Sequence, residues 1–256
     1  MTLSLNQIVF FLCILVRIST FVYAAPFFNL KNVPQKVKIG LSIAIALILF
    51  QVLPYRQLEY TSVTGFGFLV IKEALAGLIM GFFANVCAQI LIFSGNMIDM
   101  EIGFSMVQTF DPVSSSQVTI TSNFYQYSVM LMMLITNMHH FILTAIADSF
   151  QIVPVGKAVI NFGLYKAFLN FIIDYFVIGF RIILPVFAAL LIVNTVLAIL
   201  AKVAPQMNMF VIGMQLKVLV GLFVLLFMVR MIPSVADFIF EEMIEMLKTA
   251  IAYLKG

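Results

Sequence analysis

Seven charged side chains lie inside otherwise apolar stretches of this chain: Arg17, Lys72, Glu73, Asp174, Arg181, Lys217 and Arg230. A charge at the centre of a membrane helix costs at least ~2.5–3.5 kcal/mol, so each one needs a partner, water or a task. Three kinds of chemistry are open to them: ion pairing between helices or subunits, relay of a proton or substrate, and lining of a wet passage. Asp174 and Arg181 are seven residues apart. That spacing sets them on one helix face but ~10.5 Å apart along its axis, too far for a direct pair. Lys72 and Glu73 are neighbours in sequence and diverge by ~100° on a helix, so they address different surfaces.

Other reactive side chains are sparse. His139 and His140 are adjacent; on a helix they diverge and cannot easily share a metal, which makes them ordinary hydrogen-bonded histidines near a helix end. Cys13 and Cys87 stand in apolar stretches with no C-x-x-C and no Cys/His cluster, so neither a disulfide framework nor a zinc site is expected. They read as small buried apolar side chains. The chain has no H-E-x-x-H, no G-x-S-x-G and no Walker P-loop. No enzyme activity, cofactor or metal is expected, and the energy for any transport must come from elsewhere.

Composition sets the class. Of 256 residues, 63% are hydrophobic and 10% charged, with mean hydropathy +1.14. A soluble domain carries roughly 25% charged residues, so this is an integral membrane protein, all-α and multi-pass. The net charge of +3 gives no reason to expect nucleic acid as a partner. With 27 Phe, 8 Tyr and no Trp, the usual interface anchors are thin. Ile8–Val16 has the apolar character of a signal peptide, but Met1–Gln7 has no positive charge, and a cleaved signal normally has one. A retained first helix is therefore expected.

The elements that position these residues follow from hydropathy and breakers. Helices are expected over Leu5–Phe28, Ile39–Leu53 (stopped by Pro54), Phe66 to about Met97, Phe124–Ala147, Phe168–Leu200 and Met209–Ile232, the last closed by Pro233. Spanning a bilayer takes about 20 helical residues. The third helix would reach ~45 Å and Phe168–Leu200 ~50 Å, so both are expected to pack against protein beyond the lipid slab, with Pro185 kinking or splitting the second. Neither orientation gives a clean positive-inside pattern of Lys and Arg. Residues 234–256 form an amphipathic helix, with Ser234 as N-cap and Asp237 completing a capping box. Its four acids, Asp237, Glu241, Glu242 and Glu245, favour a protein partner over anionic lipid.

Two stretches stand apart. On the third helix Glu73, Gly77, Gly81 and Asn85 recur at spacing four. Gly77 and Gly81 form G-x-x-x-G, which admits a second backbone at close range, and Glu73 and Asn85 are placed to hydrogen-bond across that seam. Gly95–Asn123 carries Asp99, Glu101 and Asp111 with no Lys or Arg. Met106, Val107 and Phe110 are poor choices for open water, and Gly103 and Asp111-Pro112 bracket them. The 16 methionines, clustered at Met97/Met100/Met106, Met130/Met132/Met133 and Met207/Met209/Met214, suit adaptable core filling or a deformable lining around variable cargo.

Several motifs occur in order along the chain. They are Val16-Arg17-Ile18, Ala25-Pro26-Phe27 and Val33-Pro34 followed by Lys36; Lys72-Glu73 with Gly77 and Gly81; and Gly95-x-x-Ile98-Asp99-x-x-x-Gly103-Phe104-Ser105, ending in Asp111-Pro112. The most specific is Ala204-Pro205-Gln206-Met207-Asn208-Met209-Phe210-Val211-Ile212-Gly213, followed by Leu216-Lys217 and Gly221-Leu222. In this order they resemble the FliR family of flagellar type III export-gate proteins, related to the SctT-like subunits of injectisomes. Met214-Gln215 departs from the aromatic and proline expected there, which changes a local bend.

The resemblance implies one domain over residues 1–256: long helical hairpins over 1–233, packed into a spiral export-gate complex, and the amphipathic helix over 234–256. It implies FliP-like and FliQ-like partners, FlhB-like and FlhA-like export proteins, membrane lipid, and unfolded flagellar proteins as cargo. The place would be the bacterial inner membrane at the flagellar basal body, with energy from an associated ATPase and the proton gradient. A pore-plugging loop is implied within Gly103–Ser122, with Gly103, Met106, Val107, Phe110 and Asp111 as plug residues. Arg17, Glu73, Gly77, Gly81, Asn85, Pro205, Gln206, Asn208 and Lys217 are expected to serve helix packing and assembly. The rival reading is a proton- or ion-coupled secondary transporter. It predicts paired halves with broken helices in matching places, and no such internal repeat is visible.

Overall fold

A computed structural model of the chain describes residues 4–28, 33–58, 60, 62–104, 109–111, 116–206 and 208–255. The fold is all-α and multi-pass. Among the described residues, five helices are long and apolar enough to cross a membrane, or six if one bent pair counts as a single span.

The first helix, α1 (Leu5–Ala24), opens on a capping box that composition alone did not suggest. The Ser4 side chain accepts from the Gln7 amide while Gln7 reaches back to the Ser4 N–H. It ends at Ala24, four residues short of the sequence expectation, just before Ala25-Pro26. The second helix, α2 (Gln35–Val52), starts directly after Pro34 and stops before Leu53-Pro54. The third, α3, runs without a break from Val63 to Ile102, 40 residues or ~60 Å. It therefore runs past the expected end near Met97 and takes in Ile98–Ile102. Gly103, at φ +96, ends α3, and its N–H reaches the Asp99 carbonyl, as a left-handed glycine does at a helix C-terminus.

Two three-residue strands follow, β1 (Thr109–Asp111) and β2 (Ser116–Val118), paired antiparallel with Phe110 opposite Gln117. The expected single helix over Phe124–Ala147 is two helices, α4 (Ile120–Ile135) and α5 (Met138–Ile152), bent by 75°. Asn137 makes the break at φ 57; asparagine is among the few non-glycine residues that enter the left-handed region readily.

The next helix, α6 (Gly163–Val203), is continuous for 41 residues, with Pro185 inside it. Pro185 does not split the stretch into two passes. After it come α7 (Met209–Met228) and α8 (Ile232–Tyr253), joined by a 3-10 turn over Val229–Met231. Pro233 does not close a helix. It sits in the first turn of α8, where a missing N–H removes no helical hydrogen bond. Ser234 is likewise inside that turn and is not the N-cap.

The chain divides into two compact units: residues 1–87, 136–171 and 240–256, and residues 88–135 and 172–239. The core of the first includes Cys13, Ile18, Phe21, Ala84, Ile142 and Leu247. In it the end of α8 is tied down by backbone bonds from Val159 N–H to Leu254 O and from Asn161 N–H to Tyr253 O. Met243, Leu247, Ile251 and Leu254 are buried there, so the apolar stripe of the C-terminal helix is covered by the chain itself and not left for a partner. The second unit buries Ile90, Ile98, Ile102, Val129, Val186 and Leu190. Phe93 packs there against Tyr175, Phe176 and Phe180 of α6.

Candidate functional site

The non-helical segment between α3 and α4 is held at its base by polar contacts between the two helices. Asp99, on the last turns of α3, is fully buried. Its Oδ2 accepts the Thr121 N–H at 2.8 Å and its Oδ1 accepts the Thr121 hydroxyl. It thus caps the N-terminus of α4 from a neighbouring helix, where the dipole favours negative charge. One turn earlier on α3, the Thr119 hydroxyl donates to Asn96 Oδ1 at 2.8 Å and lies 2.9 Å from Ser122 Oγ. Gly95 completes the contact, since a Cβ there would overlap the Ser122 backbone. Three positions on α3, Gly95, Asn96 and Asp99, therefore hold Thr119, Thr121 and Ser122 in place.

Among the described residues, nothing lies within 4 Å of the position a Cβ on Gly103 would take. Phe110 and Asp111 belong to β1 by backbone pairing. Met106 and Val107, the other two expected plug residues, lie outside the described residues. Sequence reasoning missed Asn96, Thr119, Thr121 and Ser122. The available signal was Thr-x-Thr-Ser immediately before an apolar helical run, a helix-start signature.

A second polar centre lies in the other unit. Arg17 Nε and Glu73 Oε2 are 2.6 Å apart, with both side chains essentially inaccessible. Arg17 Nη1 donates to the Val153 carbonyl at 2.9 Å and lies 3.5 Å from that of Ser149. The guanidinium stands 4.3 Å from the Phe150 ring centroid, a cation–π distance. Glu73 Oε1 accepts the Gly156 N–H at 2.7 Å, in a turn that needs φ +83. The pair joins α1, α3 and the end of α5. Of the three chemistries open to Arg17 and Glu73, the structure shows ion pairing between helices.

The glycine seam belongs to the same centre. A Cβ on Gly77 would overlap the Arg17 carbonyl and the Thr20 hydroxyl. One on Gly81 would lie 2.8 Å from Ala24 Cβ and 2.9 Å from the Phe21 carbonyl. At Gly77 and Gly81, then, α3 and α1 of the same chain approach closely. Asn85, the far end of that spacing-four row, is half-buried.

The remaining candidates stay apart from both centres. Pro205, Gln206 and Asn208 are exposed in the turn between α6 and α7, where Asn208 Oδ1 caps α7 by accepting from Val211 N–H at 3.5 Å. Lys217 is half-buried, and Asp174, Arg181 and Arg230 are exposed. His139 and His140 do not diverge as expected: in the first turn of α5 their ring centroids are 4.2 Å apart, with the rings tilted by 40°. Cys13 and Cys87 are buried free thiols. Among the described residues no three His, Cys, Asp or Glu side chains are grouped to hold a metal ion.

The architecture has clear relatives. The family described as bacterial export proteins, family 1, matches residues 8–243. The chain is 33% identical to flagellar biosynthetic protein FliR of Bacillus subtilis over 94% of each chain. It is 28% identical to FliR of Pectobacterium carotovorum, over 94% of this chain and 92% of the relative. It is 25% identical to FliR of Escherichia coli K12 with the same coverage. The match runs through both polar centres and nearly every helix, and the chain belongs to the bacterial export proteins, family 1, as a FliR-type membrane component of flagellar export.

Proposed function

We propose that this protein is a structural and gating subunit of the flagellar type III export channel. Over residues 1–256 it works as one export-gate domain, assembled with FliP-like and FliQ-like subunits in a spiral of long hairpins in the bacterial inner membrane. FlhB-like and FlhA-like proteins hand it unfolded flagellar cargo. It performs no chemistry of its own.

The observation that carries the gating role is the base of the segment between α3 and α4. A loop with nothing to resist could be tethered by any two helix ends. Here a fully buried carboxylate, Asp99, takes both the amide and the hydroxyl of Thr121 and so ties the end of α3 to the first turn of α4. On this reading Gly103 is the pivot of the segment, and Met106, Val107, Phe110 and Asp111 are the part that blocks the passage. Pro205, Gln206, Asn208 and Lys217 stand where a neighbouring subunit can reach them, whereas Arg17, Glu73, Gly77 and Gly81 serve assembly by shaping this chain's own hairpins.

Two measurements test this. Affinity purification of the tagged chain should bring down FliP-like and FliQ-like proteins; a chain that purifies alone as a monomer or dimer points to the transporter reading. Deleting Met106–Phe110 should leave the complex assembled and make the membrane leaky to ions. An assembled complex in a tight membrane would reduce the segment to a plain connector.

A further inference from the structure

Within the second unit, α6 has two unlike faces. Ile178, Ile182, Val186 and Leu190 are buried against the chain itself. On the other side Asp174, Val177, Arg181, Leu184, Ala188 and Leu191 are all exposed. Their spacing alternates between three and four residues, which keeps one seam of a helix turned towards a second helix.

Four of these six side chains are apolar, and the helix is long and apolar enough to cross a membrane. The two charges have neither a hydrogen bond nor an ion pair among the described residues. They cannot satisfy each other, because seven residues separate them by ~10.5 Å along the axis. Pro185, four residues after Arg181, has no N–H to give to the Arg181 carbonyl, so the backbone at that level is also short of its helical donor. A charge on an apolar helix is costly to leave against lipid and is found paired or facing the interior of a bundle. Val177, Leu184, Ala188 and Leu191 make the same stripe a poor lining for a wet passage.

We infer that this stripe is the docking seam for a membrane helix of a different chain. That helix carries a basic side chain level with Asp174 and an acidic one level with Arg181, two turns away. On a parallel partner the basic residue comes seven positions before the acidic one; on an antiparallel partner the order reverses. A second copy of this chain is a poorer occupant. Two copies inserted in the same direction and in register bring each position against its own counterpart. Asp174 then faces Asp174 and Arg181 faces Arg181, and like charges set against each other oppose association. The two pairs also fix the register, since sliding the partner by one turn, ~5.4 Å, separates both. This rests on the assembly reading above only in requiring other membrane chains beside this one.

The test is site-specific photo-crosslinking of the full chain in cells that make the whole export apparatus. A photo-crosslinking residue in place of Leu184 should label a membrane segment of another chain. Peptide mapping should find a basic and an acidic residue seven positions apart in that segment. Asp174→Lys and Arg181→Glu should each lower the yield about ten-fold, as loss of a close charge pair across an interface does. Reversing the facing charge in the partner should restore it, whereas combining Asp174→Lys with Arg181→Glu should not, because the partner's charges are unchanged. Should a reversal fail to accumulate, Asp174→Asn with Arg181→Gln removes both charges without repulsion and should lower the yield about five-fold. A crosslink only to lipid, to a second copy or within the chain, or a yield that the neutral double variant leaves unchanged, would overturn the seam. Co-purification separates the two readings: if FliP-like and FliQ-like proteins come down with the chain while Leu184 labels no other chain, the assembly stands and the seam does not.

Discussion

Asp99 and Thr121 are 22 residues apart in sequence and form a two-pronged contact in space: one carboxylate oxygen takes the Thr121 amide, the other its hydroxyl. The contact closes a long loop across its own neck. Removing it leaves buried polar groups without partners, at about 1–3 kcal/mol each. Asp99→Ala should therefore loosen the start of α4 and raise ion leakage through the assembled complex, measured as dissipation of membrane potential. Thr121→Ser keeps both bonds and should behave as wild type. If Asp99→Ala is as tight as wild type, the neck does not control the segment above it.

Arg17 and Glu73 should behave as an obligatory pair. Breaking a buried ion pair by removing one partner costs about 3–5 kcal/mol, because the other charge is stranded. Arg17→Ala and Glu73→Ala should each sharply reduce the amount of folded protein in the membrane. The double replacement Arg17→Met with Glu73→Leu removes both charges and should recover much of the loss. Thermal unfolding of the purified chains checks the order: double variant above either single.

The glycine seam makes a prediction that separates folding from assembly. Gly77→Leu drives a side chain into the Arg17 carbonyl, which as backbone cannot move aside. The chain itself should fail to accumulate, even when expressed without partners. Normal accumulation with loss only of the intact complex would mean that the seam faces another subunit. Gly81→Ala, whose Cβ meets Ala24 Cβ at 2.8 Å and the Phe21 carbonyl at 2.9 Å, should be harmful but milder.

Gly156 carries a backbone demand as well as a contact. At φ +83 it is in the left-handed region, and a Cβ would lie 2.9 Å from Leu58 Cδ2. Gly156→Ala should destabilise by roughly 1–3 kcal/mol through strain, and it threatens the Glu73 bond to the Gly156 amide. A fall in melting temperature of the purified chain is the readout, and no fall would mean that the turn relaxes freely.

Class and outline were legible because hydropathy is local. Apolar runs, Pro34, Pro54 and the Gly77/Gly81 spacing declare themselves within a few residues, and the motif order from Arg17 to Gly221 was enough to point to the family. What needed the tertiary structure is everything joining residues far apart. Arg17 meets Glu73 across 56 positions and Asp99 meets Thr121 across 22; nothing in a window of sequence selects among the charges and hydroxyls that could partner them. Element ends were decided the same way. Ile98–Ile102 lies past the expected end of its helix, yet it stays helical because Ile98, Asp99 and Ile102 are buried and Asp99 is satisfied by α4. The break at Asn137 carries no Gly or Pro to announce it, and Pro233, the strongest breaker signal near the end of the chain, starts a helix because it falls in a first turn, where its missing amide has no bond to lose.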